Sequence, residues 1–327
     1  MDIKKQKSFV DVWIFVACIF AISFIASWLK AYRNAASALL FIPFLVGILA
    51  FAFQLFIRKQ PLIELYSKAY PYRRLKVYGV ISAILLFEFI LVWGLHTKQI
   101  LLLNEDLFLI TIIFAGTIAY YHIFVRMKIS LRFLFLAVLM PLISAGAALG
   151  LGNYFNILEL ILPIKKIADM VFFNSLYWIL VSILIQVLCE EPAFRGYLMQ
   201  RLLQKSEFKA IAYSSLIYAI WRMPFTFLPD STWQATTLLF CGNLIMGLIF
   251  ALLFIKGKNL LVAILCHGII DGLRTSFFAS SAYPGIRQYM RFLIPQGEIA
   301  LVALWFTCLL IGLILLTIIP RKKFNVS

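Results

Sequence analysis

The sequence predicts an all-α fold, a polytopic transmembrane bundle of about ten spans with both termini cytoplasmic. Three observations predict it. Of 327 residues, 63% are hydrophobic and only 13% are charged, where a water-soluble domain carries about 25% charged residues. The apolar residues gather in runs of about 20, the length a helix needs to cross a hydrocarbon core of about 30 Å. The basic residues, which give a net charge of +16, sit in short clusters between those runs. Such clusters orient helices and meet anionic headgroups, so the charge points to membrane lipids as partners and away from nucleic acid.

The runs cover residues 9–29, 37–57, 77–96, 105–125, 133–151, 172–200, 210–229, 233–255, 259–279 and 297–319. The basic N-terminus (Lys4, Lys5, Lys7) leads into the first run without a small-residue cleavage site, so it reads as a span and not as a removed signal peptide. The stretch 153–166 is amphipathic and reads as interfacial, and 285–296 is less apolar and reads as a loop. Twenty Lys and Arg fall in the N-terminus, the tail and the loops around residues 58–76, 126–132, 201–209 and 256–258, against eight on the other side. The richer side is cytoplasmic. Composition points to a bacterial cytoplasmic membrane, and there is no internal repeat.

Buried charge divides the chain near residue 150. Residues 1–150 read as an accessory bundle of about five spans, residues 151–320 as a core with a buried polar site, and residues 321–327 as a basic cytoplasmic tail. All five cysteines (Cys18, Cys189, Cys241, Cys266, Cys308) lie inside apolar runs without CxxC spacing, so neither disulfides nor a structural zinc site is expected.

Ionisable residues inside a span are costly and mark function by default. The sixth run holds Glu190, Glu191 and Arg195 in the stretch VLCEEPAFRGYLMQRL. Glu191 and Arg195 share a helix face at i, i+4 and can pair, while Glu190 points about 100° away. Pro192 removes a backbone hydrogen bond and loosens or kinks the helix there. The ninth run places His267 and Asp271 on one face, where the carboxylate can fix the imidazole tautomer. Gly268 and Gly272 beside them allow a close helix approach. The seventh run carries Arg222 in its middle, one turn after Tyr218, and this cation needs a carboxylate or water.

Depth supports one shared site. Counted from the cytoplasmic ends at 1.5 Å per residue, Glu190, Arg222, His267 and Asp271 lie about 21, 18, 12 and 18 Å deep. Four charged positions from three helices thus fall in one slab of membrane.

These residues resemble the CAAX-protease and bacteriocin-processing family, also called the abortive-infection family. The first family motif, EExxxR, is matched by Glu190, Glu191 and Arg195, followed by Gly196. The third, HxxxN or HxxxD, is matched by His267 and Asp271. Gly242, Gly247 and the turn Lys256–Leu260 between them also fit, and the resemblance covers roughly residues 175–275. The second motif departs from the family pattern FxxxH: Tyr218 stands at the Phe and Arg222 at the His.

The resemblance implies intramembrane peptide hydrolysis, with Glu190 activating water, His267 and Asp271 stabilising the oxyanion, and Glu191 and Arg195 completing the site. The substrate it implies is a peptide or a lipidated protein tail. No cofactor is expected. A metal-dependent form would draw zinc to Glu190 and His267, with Glu191 and Asp271 nearby, a sparse set for that metal. Arg222 alters the chemistry, because a fixed positive charge stabilises the Glu190 carboxylate and itself accepts no proton. Two readings stay open. In one, Arg222 serves the oxyanion or a substrate carboxylate in a working hydrolase. Alternatively it pairs with a Glu in a silent site, a pseudoprotease that binds a membrane partner as a regulator or an immunity protein. A proton-coupled transporter is a third class, disfavoured by the absence of inverted repeats.

Overall fold

The computed structural model describes residues 3–33, 38–60, 65, 130–160, 175–176, 178–180, 182–183, 187–226, 232–278 and 290–320. Helix α1 spans Ile3–Arg33, and α2 spans Ala38–Ala52 and runs on as a π-helical turn, Phe53–Ile57. Helix α3, Leu131–Tyr154, leads to strand β1, Leu158–Leu160. The motif helix is built in three pieces: α4 (Leu188–Glu191), a π-helical stretch (Pro192–Met199) and α5 (Gln200–Leu202). Then come α6 (Glu207–Thr226), α7 (Trp233–Gly257), α8 (Leu260–Phe278), strand β2 (Met290–Phe292) and α9 (Gly297–Ile318).

Among the described residues, three helices are long and apolar enough to cross a membrane: α3, α7 and α9. Val10–Ile25 and Leu45–Ile57 are shorter apolar stretches inside the first two expected spans. Helices α6 and α8 stand where spans are expected, and their lower apolar content comes from residues such as Glu207, Arg222, His267 and Asp271. The expected spans at 77–96 and 105–125 lie outside the described residues. Large apolar side chains face outward on α3 (Phe135, Ile143) and α9 (Ile311, Ile314, Ile318). Such an outer surface suits lipid and not water.

One local reading changes: within the stretch read as a loop, Met290–Phe292 form a strand. The stretches read as interfacial and as a loop meet in a small antiparallel sheet, with Leu158 opposite Phe292, Glu159 opposite Arg291 and Leu160 opposite Met290. Strands of three residues are too short for a period of two to show in the sequence.

The site-bearing helices approach closely at glycines. A Cβ on Gly247 of α7 would lie 3.1 Å from the Ser215 Cα of α6. On α8, Gly268 meets the Ile183 side chain, and a Cβ on Gly272 would lie 2.5 Å from the Ile179 backbone. This is the close contact that small residues give membrane helices. Helix α7 opens with the Thr232 side chain accepting from the Ala235 N–H at 3.3 Å. It ends at Lys258, whose φ of 52° is left-handed. Asn259 then starts α8, its Oδ1 accepting from the Leu261 N–H at 2.8 Å. Lys256 is an internal cap. Its ammonium donates to the carbonyls of Leu316, of Thr317 at 3.0 Å and of Ile319 at 2.7 Å, at the end of α9.

Candidate active site

Pro192 has no N–H to donate and its ring crowds the preceding turn, so the α-helical ladder cannot continue through it. The chain answers with π-helical turns over Pro192–Met199, a geometry rare in helices and often found at functional sites. Glu190 and Glu191 lie just before this change of geometry and Arg195 within it, all three fully buried. The Glu191–Arg195 pair forms, with Arg195 Nη1 2.9 Å from Glu191 Oε1. Arg195 also donates to the Gly247 carbonyl at 3.3 Å, and its guanidinium carbon lies 4.4 Å from the centroid of the Tyr218 ring and 5.1 Å from that of Phe250.

Glu190 points the other way, to α6. Arg222 Nη1 lies 3.2 Å from Glu190 Oε1 and 3.4 Å from Oε2. Its second terminal nitrogen donates to Asp271 Oδ2. A planar fork of donors suits this bridging role.

His267 stands at the centre. Its Nδ1 lies 2.7 Å from Glu191 Oε1, and its Nε2 lies 3.2 Å from Asp271 Oδ2, 3.1 Å from the Tyr218 hydroxyl and 3.8 Å from Glu190 Oε2. With Nδ1 donating to Glu191, a neutral ring accepts at Nε2 from Tyr218, whereas a protonated ring donates there to Asp271. The Phe250 ring stacks on the imidazole with centroids 4.5 Å apart. The structure therefore brings Glu190, Glu191, Arg195, Tyr218, Arg222, His267 and Asp271 into one cluster drawn from the motif helix, α6 and α8.

Three contributions escaped the sequence. Phe250 and the Gly247 carbonyl sit on an apolar helix whose residues look alike in composition, and the Tyr218 hydroxyl was flagged only as a changed motif position. Gly247 is marked in the sequence only by its fit to the family pattern, and the place of Phe250 one turn after it is the further signal there.

A metal ion at this donor set would have to compete with a cation already there. The Arg222 guanidinium lies between Glu190 and Asp271, so a cation already stands where a metal ion would have to bind. Among the described residues no three His, Cys, Asp or Glu side chains are grouped to hold one.

No curated protein and no solved structure matches the chain. Residues 172–273, which include every member of the cluster, match the family model described as type II CAAX prenyl endopeptidase Rce1-like. Together with the apolar helices, this match identifies the chain as an integral membrane protein whose residues 172–273 are similar to the Rce1-like family.

Proposed function

We propose that the chain is an intramembrane endopeptidase of the CAAX type, cleaving a peptide or lipidated-protein tail. The observation that carries this reading is the meeting of Glu190, His267 and Asp271 in one buried cluster, with His267 Nε2 3.8 Å from Glu190 Oε2. In this reading Glu190 takes a proton from water as the water oxygen attacks the scissile carbonyl carbon. The developing oxyanion accepts hydrogen bonds from His267 and Arg222. Collapse of the intermediate breaks the C–N bond, and the proton held by Glu190 leaves with the amine. Glu191 and Arg195 orient His267 and do not touch the reacting atoms. The positive charge comes from Arg222, so the site needs no metal cofactor.

Arg222 slows this chemistry, because an ion-paired Glu190 is a weaker base. Its second bond, to Asp271, favours another reading: a catalytically silent site kept for binding a membrane partner, as a regulator or immunity protein.

The proposal includes about ten spans with cytoplasmic termini, in a bacterial cytoplasmic membrane, and an accessory bundle over residues 1–150. Two contacts support this orientation. Asp11 near the start of α1 pairs with Arg201 at 2.7 Å, and Lys256 meets the carbonyls at the end of α9. Each contact joins segments that the count of basic residues puts on the same side.

The test compares purified wild type, Glu190→Gln and Arg222→His in detergent against quenched peptides with and without a prenylated tail. Cleavage by the wild type that is lost in Glu190→Gln supports the peptidase. No cleavage by the wild type, with activity appearing in Arg222→His, supports the silent site.

A further inference from the structure

A second buried polar cluster lies on the motif helix just past Arg195, and the reaction uses none of it. Asp11 of α1, 8% exposed, accepts at Oδ2 from the Tyr197 hydroxyl at 3.1 Å and from Arg201 Nη2 at 2.7 Å. One turn along α1, Phe15 packs on the Tyr197 ring with centroids 4.6 Å apart. Phe53, at the end of α2, meets the same ring edge-on at 5.6 Å. Gln200 donates to the Leu65 carbonyl at 3.3 Å, and a Cβ on Gly196 would lie 2.8 Å from that same oxygen. Gly196, Tyr197, Gln200 and Arg201 are thus all gripped by residues from the first 65 of the chain.

The grip falls on the part of the helix least able to hold its own shape. Pro192–Met199 is π-helical, a geometry that rarely persists unaided. A return to α-helical winding over these residues would turn Glu190, Glu191 and Arg195 relative to the helix beyond Met199. Glu190 would then leave Arg222, and Glu191 would leave His267.

We propose that Asp11 is a positioning residue: by holding Tyr197 and Arg201 it fixes the rotation of the π-helical stretch and so aims Glu190 and Glu191 into the site. The first helix of the accessory region thereby becomes a working part of the Rce1-like region. The kinetic arm of the test rests on the peptidase reading, and the exchange arm does not.

The experiment measures hydrogen–deuterium exchange and cleavage on the full chain in detergent, for wild type, Asp11→Ala, Asp11→Asn and Asp11→Glu. Asp11→Ala should speed exchange across residues 192–199 by about tenfold and leave α7 and α9 unchanged, because opening would be local. Asp11→Asn should lower kcat by about tenfold at unchanged KM, the size of loss typical of an outer support, with Asp11→Glu recovering part of it. If Asp11→Ala does not fold, Asp11→Asn supplies both readouts. Unchanged exchange over 192–199 in a folded variant overturns the proposal, as does a uniform rise over every helix. If the wild type cleaves nothing, the peptidase reading fails and the exchange result alone decides this one.

Discussion

Arg222 reaches from α6 to Glu190 on the motif helix, its Nη1 3.2 Å from Oε1 and 3.4 Å from Oε2. Through its other terminal nitrogen the same guanidinium holds Asp271, so one planar cation joins two carboxylates that flank His267. Charge explains why this cluster can be buried. Three carboxylates meet three guanidinium groups, the third being that of the partly exposed Arg274, whose Nη2 lies 3.8 Å from Asp271 Oδ1, so the charges balance with His267 neutral. An unpaired ion at this depth would be far more costly.

Removing that bridge exposes the imbalance. Arg222→Ala leaves Glu190 buried without its cation and Asp271 with only the more distant Arg274, and should destabilise the fold by about 3–5 kcal/mol. Arg222→Lys should recover only part of this, because a point charge cannot make both in-plane bonds. Unfolding followed by tryptophan fluorescence during denaturing-detergent titration measures the difference.

Glu190→Gln keeps the side chain's size and removes the base. Cleavage of a quenched peptide should fall by about 10²–10⁴-fold. The thermal midpoint should stay close to that of the wild type, because the amide oxygen still accepts from Arg222.

The Glu191–Arg195 pair gives a double-mutant test. Arg195→Ala leaves Glu191 facing His267 alone and should cost about 3–5 kcal/mol. Glu191→Gln combined with Arg195→Met should cost clearly less than the two single changes added, since no uncompensated charge remains. Chemical denaturation of the four proteins checks it.

Tyr218→Phe keeps the ring under Arg195 and deletes only the hydroxyl bonded to His267 Nε2 at 3.1 Å. The expected loss is about 1 kcal/mol of stability, the usual worth of one hydrogen bond. The same denaturation assay reads it.

Gly272→Ala puts a methyl group 2.5 Å from the Ile179 backbone, which cannot step aside as a side chain can. A destabilisation of about 1–3 kcal/mol is expected. Gly150→Ala, whose methyl would meet nothing within 4 Å, should be neutral or slightly stabilising.

The site was largely legible in the sequence because charge in an apolar run is conspicuous. Glu190, Glu191, Arg195, Arg222, His267 and Asp271 each break a hydrophobic pattern, and their depths along separate helices agree. Spacing along the helix also paired Glu191 with Arg195 and placed Asp271 beside His267. Phe250 stacking on His267 left no such mark, since an aromatic on an apolar helix looks like any packing residue. The paired strands at Leu158–Leu160 and Met290–Phe292 were missed because their partners are far apart in sequence and only three residues long. Arg201 and Lys256 read as loop charges that set orientation, yet one is an ion-pair partner of Asp11 and the other caps α9. A count of basic residues cannot separate a charge that orients a helix from one that also holds two helices together.

The contact of Lys256 with the end of α9 also has a bearing on how the chain is assembled. All the residues of the polar cluster have been translated once Asp271 is made, but the carbonyls of Leu316, Thr317 and Ile319 follow some 45–48 residues later. Until then the ammonium at the end of α7 has no backbone acceptors from α9 and must remain hydrated or meet lipid phosphates. This tie between the end of α7 and the end of α9 therefore forms only after α9 has left the ribosome. A stop codon placed just before Leu316 would yield a chain with every member of the cluster and with a buried ammonium lacking its three acceptors, a natural mark for membrane quality control.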